Sequence, residues 1–323
     1  MLFIYLILLA VILSAVYLKR SYAICRSKRR LDGRTALITG GTTGMGLQIA
    51  KDFAQRGARV IIACPFEQEG VNAREYIIRK TRNKEIVFKL LDLSSLASVR
   101  KFANEITNIE ERLDMLVNNA GVFFHKEYIT NDELSSTMQI NYFGHFLLTL
   151  LLLPVLKKTG QASIKSRIVN VTSQAHFIGK IDLEKINDIK HWTSFQIYAN
   201  SKLCMAIFTR ELARRLTESY VVVNNADPGI VATYILKPSN VIFKATTYTS
   251  SAAARVFLKT PWQGAQTTIY AALDLNAETV NGEMFYNCKL YEASSEVYNE
   301  DLAKIVWDES VKLVKLNPRE ITV

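Results

Sequence analysis

A doubly wound α/β fold, a parallel sheet with helices on both faces, is what this sequence predicts, on three observations. Short apolar runs alternate with segments whose apolar residues recur at helical spacing, a glycine-rich turn follows the first run, and polar residues gather where the runs end. Strands alternating with helices imply parallel crossover units, and in open sheets of this kind ligands bind beyond the carboxyl ends of the strands. At 323 residues, with 49% hydrophobic and 22% charged residues, the chain can bury one sizeable core. No repeat or low-complexity segment interrupts residues 33–323, so a single domain is expected there.

Ahead of that domain, residues 2–18 run without a charge, close to the lower limit for a membrane-crossing helix. They predict a membrane anchor over residues 1–18, spanning the bilayer or embedded in one leaflet. A cleaved signal peptide is the alternative, but no Lys or Arg precedes the run, and the small-residue site Ser21-Tyr22-Ala23 lies beyond Lys19 and Arg20. Residues 19–32 then form a basic juxtamembrane segment. Lys19, Arg20, Arg26, Lys28, Arg29, Arg30 and, just beyond, Arg34 face one acid, Asp32, and supply +6 of the net +10. Basic flanks stay cytosolic, so the rest of the chain is expected on the cytosolic side of a membrane. The charge left over is modest and no basic-aromatic patch stands out, which gives no support to a nucleic-acid partner.

Strands are expected at residues 35–39, 59–63, 85–90, 113–118, 166–172, 221–226 and 284–286. After the first come Gly40, Gly41, Thr42, Thr43, Gly44, Met45 and Gly46, then a helix over 47–55. Glycines at such a turn let a backbone approach a pyrophosphate, and the helix N-terminus behind them favours negative charge. Asp92 and Leu93 follow the third strand, Asn118, Asn119, Ala120 and Gly121 the fourth, and Pro228, Gly229 and Val231 the sixth, while Asn141 lies in a long helix leading to Leu156. The cysteines Cys25, Cys64, Cys204 and Cys288 have no paired spacing, so reduced thiols and no metal site are expected. Asn170-Val171-Thr172 matches a glycosylation acceptor but falls within an expected buried strand.

Tyr198 and Lys202 are four apart in a helical segment over residues 195–219, so both lie on one face, a turn apart. A free phenol titrates near ~10, and using Tyr198 as a base at neutral pH needs a shift of roughly three units, about 4 kcal/mol. An ammonium nearby favours the phenolate, and Ser173 would donate a hydrogen bond to a substrate oxygen. The spacing alone is weak, since 14 Tyr and 22 Lys give about one match by chance. Tyr76 and Lys80 form a second such pair, read as a solvated helix face. The setting of Tyr198 and Lys202 distinguishes them.

The chain resembles the short-chain dehydrogenase/reductase family over residues 32–285. The resemblance rests on T-G-x-x-x-G-x-G at 39–46, N-N-A-G at 118–121, a helix asparagine, a serine, Y-x-x-x-K and P-G, in the family's order. It implies a Rossmann-type domain and a catalytic tetrad of Asn141, Ser173, Tyr198 and Lys202. Tyr198 would move the proton and Ser173 would polarise the carbonyl. Lys202 would bind the nicotinamide ribose and lower the tyrosine pKa, and Asn141 would hold a relay water. It also implies that the cofactor is lined by Gly40, Thr42, Thr43, Gly44, Met45, Gly46, Asp92, Leu93, Asn118, Asn119, Ala120, Gly121, Pro228, Gly229 and Val231, besides Tyr198 and Lys202.

The long gap from Ser173 to Tyr198, His176 and the I-D-L stretch at 181–183 are similar to the retinol dehydrogenase branch. His176 is read as structural. V-I-I-A at 60–63, G-H-F-L-L-T at 144–149 and K-T-P-x-x-G-A at 259–265 are similar to polyprenol dehydrogenases of that branch. Cofactor choice stays open between NAD and NADP, because Cys64 and Pro65 stand where an acid or an arginine would decide it and Thr43 puts no basic residue in the turn.

Residues 230–262, rich in apolar and aromatic side chains, are expected to form a substrate loop, either as an oily lid or as ordinary packing over a pocket. An amphipathic helix is expected at 301–316. Together these imply a membrane-associated oxidoreductase, at the endoplasmic reticulum or a lipid droplet, acting on a lipid alcohol. Polyprenols lead, with retinoids and steroids as alternatives; homo-oligomerisation stays open. A nucleotide-binding scaffold without turnover is the alternative of another class.

Overall fold

The computed structural model describes residues 21–123, 126–232, 258–317 and 320, together with residues 5, 13 and 17. The expected anchor over residues 1–18 lies outside the described residues except for Tyr5, Leu13 and Tyr17, which are helical and exposed.

Along the chain run β1 (Thr35–Thr39), α1 (Gly44–Gln55), β2 (Arg59–Cys64), α2 (Glu67–Thr81), β3 (Ile86–Leu90), α3 (Leu96–Ile109) and β4 (Met115–Asn118). After them come α4 (Ser136–Thr159), β5 (Ser166–Val171), α5 (Ser194–Arg215), β6 (Val221–Asp227), α6 (Pro261–Leu273), α7 (Leu275–Glu278), β7 (Met284–Tyr286), β8 (Lys289–Tyr291) and α8 (Glu300–Leu313). The strands pair in the order β3-β2-β1-β4-β5-β6-β7-β8. Pairing is parallel from β3 through β7, and β8 alone runs antiparallel. Central strands of such a sheet are covered on both faces, which is why β1, β4, β5 and β6 are buried along their whole length.

One apolar cluster unites residues of α3, α4, α5 and α8, and a second unites residues of α1, α2 and α6. Helix α4 is long and apolar enough to cross a membrane, but 83% of its apolar stretch is buried inside the molecule. It is a core helix. Residues Gln139–Phe143 within it form a single π-helical turn, a local widening that proteins often place at functional sites.

The expected strands are all present, with ends moved by one or two residues. Three boundaries differ for physical reasons. Helix α1 begins at Gly44 rather than at residue 47, because the last glycines of the turn are already its first turn. Helix α5 stops at Arg215, four residues before the expected end, in a tight turn over residues 216–220. The expected loop over 230–262 overlaps a helix: Thr260 and Gln263 form a reciprocal cap and Pro261 opens α6, so Trp262 is helical. Residues 233–257 of that loop lie outside the described residues. Strand β8 went unseen because its two-residue turn, Asn287-Cys288, has no glycine, although both residues adopt the positive φ (48° and 55°) that a tight hairpin demands.

The basic segment is docked rather than free. Leu31 is 1% exposed, inside the second cluster. Cys25 N–H donates to Gln266 Oε1 (3.1 Å), and Arg29 pairs with Glu278 (2.8 Å).

Candidate active site

Strand order reverses between β1 and β4, each neighbour of which feeds a helix on a different side, and the expected groups collect at the carboxyl edge around that switch point. The glycine turn leaves β1 there. Gly40 and Gly44 have φ of +62° and +53°. A Cβ on Gly46 would collide with the Gly40 carbonyl and lie 2.6 Å from Asn119 Nδ2. Helix α1 has no side-chain cap from Thr43 and no acid in its first turn, in contrast with α3, α5 and α6, which are capped by Ser95, Thr193 and Thr260. Open N–H groups over a glycine cradle fit the pyrophosphate of a dinucleotide.

The loop after β4 is tied to this turn. Thr39 Oγ1 accepts the N–H groups of Asn119 (2.9 Å) and Ala120 (3.0 Å), and Asn119 Nδ2 donates to the carbonyls of Thr39 (2.9 Å) and Gly40 (3.3 Å). Asn119 Oδ1 is buried without a hydrogen-bond partner among the described residues. Asn118 points elsewhere: its Nδ2 donates to Thr149 Oγ1 (2.8 Å) and Asn170 Oδ1 (2.7 Å), and Asn170 Nδ2 continues to Thr209 Oγ1 (2.8 Å). Asn170 is fully buried in β5, as its strand context predicts.

Asn141 sits on the π turn, buried. Its Oδ1 accepts Val122 N–H (2.8 Å), and its Nδ2 donates to Val122 O (3.0 Å) and Ser201 Oγ (3.1 Å), so it joins the β4 loop to α5. Gly121 lies against it. A Cβ there would be 3.3 Å from Asn141 Oδ1 and 3.7 Å from Lys202 Nζ. Tyr198 and Lys202 both lie on α5, with Lys202 Nζ 5.7 Å from the Tyr198 ring and donating to Val171 O (3.0 Å). Ser173 lies two residues beyond β5, caps the short turn after it, and acts on the Tyr198 phenol across the site. The Phe123 ring covers that of Tyr198 at 4.3 Å between centroids.

Burial governs the protonation of this cluster. It raises the Tyr198 phenol; the Ser173 hydrogen bond pulls it back and the Asp227 carboxylate raises it again. It lowers Lys202 to about 8, against the raising effect of Asp227. Burial of the ring is thus the largest influence on the phenol, while Lys202 Nζ is committed to the Val171 carbonyl.

Other expected residues take definite places. Thr42 is buried with its hydroxyl on Glu69, and Met45 and Val231 meet around Gly264. Asp92 Oδ1 closes its own turn on Ser94 (2.9 Å to N), and the Leu93 side chain enters the core. Gly229, with φ +73°, donates its N–H to Asp227 Oδ1 (2.7 Å). His176 donates from Nδ1 to Ser173 O (2.7 Å) and accepts Ser294 N–H at Nε2 (3.3 Å), so both ring nitrogens are engaged in bracing. Lys80 lies 6.0 Å from the Tyr76 ring on a half-exposed face of α2.

Sequence reasoning missed three residues. His145 joins Thr39 to the Asn141 carbonyl (2.9 and 3.3 Å), and Asp227 and Lys259 are buried at 0% and 3% exposure beside the site. No residue pattern announces them. The signal available was charge inside an apolar strand end for Asp227.

Residues 34–241 match the family model for short chain dehydrogenases. The chain belongs to the short-chain dehydrogenase family. Within it, retinol dehydrogenase 11 of Mus musculus is 38% identical over 296 residues, covering 92% of this chain and 91% of that protein. Retinol dehydrogenase 12 of Bos taurus is 37% identical, with coverage of 90% and 89%. The solved RhlG/NADP active-site complex of Pseudomonas aeruginosa superimposes with a TM-score of 0.62 at 25% identity, covering 79% of this chain and 95% of that one. As a short-chain dehydrogenase close to retinol dehydrogenases, the protein is an NAD(P)-dependent oxidoreductase acting on alcohols. Its cofactor is of the NAD or NADP class, and the end of β2 carries Cys64 and Pro65, neither of which chooses between them.

Proposed function

We propose that this enzyme interconverts a lipid alcohol and its carbonyl compound at a membrane surface, with Tyr198 as the proton-transfer group. The observation that carries the reading is the convergence of Ser173, Tyr198, Lys202, Asn141 and the glycine cradle at one edge of the sheet. The nicotinamide ring of the cofactor supplies the hydride acceptor or donor. Ser173 binds the substrate oxygen, and Tyr198 takes the hydroxyl proton on oxidation or returns it to the oxygen on reduction. Lys202 and the Pro228–Gly229 turn bound the space for the ribose and nicotinamide. Because burial raises the Tyr198 phenol, it is protonated at neutral pH and poised to act as an acid. Carbonyl reduction is then favoured at neutral pH and alcohol oxidation climbs as pH rises.

The isoprenoid class is favoured, on retinol dehydrogenase relatives at 38% identity and on the polyprenol-like stretches of sequence. Phe123 over Tyr198 gives the reacting oxygen an apolar neighbour. An anchor over residues 1–18 with a cytosolic domain at the endoplasmic reticulum or a lipid droplet accords with such a substrate. The test supplies membranes holding the full chain with retinol or a polyprenol and NAD or NADP. Turnover that falls at least about 100-fold in Tyr198→Phe supports the reading. Undiminished turnover in that variant removes Tyr198 from the chemistry, and bound cofactor with no turnover on any alcohol or carbonyl favours a nucleotide-binding scaffold.

A further inference from the structure

Asp227 is the last residue of β6, at the carboxyl edge. Its Oδ1 accepts Gly229 N–H at 2.7 Å and so shapes the turn beyond the strand. Its Oδ2 has no hydrogen-bond partner among the described residues, although the side chain is 0% exposed. A buried carboxylate with a bare oxygen is costly unless cations face it. Two neighbouring segments bring cations. The titratable and charged groups facing Asp227 are Lys202 and Tyr198 from α5, Lys259 from the segment ahead of α6, and Tyr286 from β7.

Backbone register fixes these approaches. Asp227 is paired with Tyr286 across the sheet, while its predecessor Ala226 is paired with Val171, whose carbonyl holds Lys202 Nζ at 3.0 Å. Lys259 is placed by a bridge to Val231 and by its N–H on Ile230 O (3.1 Å). Its ammonium donates to Asn287 Oδ1 (2.7 Å), lies 5.2 and 5.0 Å from the rings of Tyr22 and Tyr286, and reaches within 3.3 Å of the place a Gly229 Cβ would take. The ammonium groups of Lys202 and Lys259 thus both act on one buried carboxylate, and one of the two belongs to the proton-transfer pair.

We propose that Asp227 is a positioning residue, which sustains the charge of Lys202 and the shape of the Pro228–Gly229 turn, and that Lys259 keeps Asp227 ionised. This rests on the roles given above to Tyr198 and Lys202. Burial pushes the Asp227 carboxyl up to about 6, while the Gly229 N–H, Lys259 and Lys202 hold it down. At neutral pH it is therefore charged, and it raises both Lys202 and Tyr198. Removing its charge lowers both. The alkaline limb of carbonyl reduction, where Tyr198 and Lys202 must both keep their protons, then moves toward lower pH, whereas loss of a mere brace lowers the rate and leaves the limb in place.

The test is kcat/KM for carbonyl reduction against pH for the full-length protein in membranes, with NADH and NADPH binding followed by fluorescence over the same range and a thermal melt of each variant. Asp227→Asn keeps an oxygen for Gly229 N–H and removes the charge. That alkaline limb is expected to fall by about one pH unit, and the pH dependence of NADH or NADPH binding with it. Lys259→Met is expected to shift the limb the same way by protonating Asp227, and the double variant to shift no further than Asp227→Asn. Lys259→Arg keeps the parent profile. An unmoved limb in folded Asp227→Asn or Lys259→Met overturns the proposal, and should the first not fold the second decides alone. An inactive Tyr198→Phe alongside an unmoved limb sinks this proposal only, whereas an active Tyr198→Phe sinks the underlying reading and this one with it.

Discussion

Thr39 shows how much of the site hangs on one hydroxyl. It accepts two N–H groups from the β4 loop, so its own proton must go elsewhere. His145 takes it. The Asn141 carbonyl can only accept, which puts a proton on His145 Nδ1 and leaves Nε2 bare for the Thr39 O–H. Burial holds the ring neutral by lowering its pKa to about 3. The arrangement binds the end of β1, the N-N-A-G loop and the π turn of α4 through two side chains, those of Thr39 and His145. Thr39→Val keeps the shape and strands two partly buried N–H groups, each costing about 1–3 kcal/mol when left without a partner. Chemical denaturation is expected to show a loss of at least about 2 kcal/mol, with weaker NADH binding; an unchanged midpoint would mean that the two N–H groups find other partners.

At the scale of elements, the first β-turn-α unit carries the cofactor and does so by what it lacks. Helix α1 has no cap and no acid in its first turn, and Gly46 leaves room that any side chain would fill. Gly46→Ala forces a methyl into the Gly40 carbonyl, so the turn must open. Affinity for NADH or NADPH, whichever the parent binds, measured by calorimetry, is expected to drop at least about tenfold, or about 1.4 kcal/mol, while β1 and the rest of α1 hold the fold. Parent-like affinity would place the pyrophosphate elsewhere. Helix α4 works differently: its π turn sets Asn141 over both the β4 loop and Ser201 of α5, so the widening supplies a bracket between two site-bearing elements.

For the whole molecule, the segment ahead of the first strand matters more than its composition conveys. Glu278 receives Arg29 from that segment at 2.8 Å, Arg167 from β5 at 2.6 Å and the Lys165 N–H at 3.1 Å. Arg167 is 2% exposed. Removing one partner of a buried ion pair costs about 3–5 kcal/mol, because the other charge is left without compensation. Glu278→Ala is expected to destabilise by that order in urea unfolding and to loosen residues 21–32, detectable as faster amide exchange there. Equal stability would show that Arg167 is satisfied by the carbonyls of Ala271 and Asp274 alone. Docking also brings Tyr22 to the Lys259 ammonium, so this segment reaches the catalytic edge.

The sequence by itself determined the α/β class, the strand positions, the glycine turn and the pairing of Tyr198 with Lys202. These are local: alternation of apolar runs fixes elements, glycine fixes backbone freedom, and a spacing of four fixes one helical face. Tertiary structure decided what depends on groups distant in the chain. The rise of the Tyr198 phenol comes from burial under Phe123 and from Asp227, neither legible at position 198. The roles of His145 and Lys259 depend on which hydroxyl, carbonyl or carboxylate lies across from them. Asn118 and Leu93 stand within motifs that read as cofactor contacts, yet the packing of β4 and α4 turns their side chains into the interior. Strand β8 escaped because a turn of Asn287 and Cys288 takes positive φ only where the neighbouring strand holds it there.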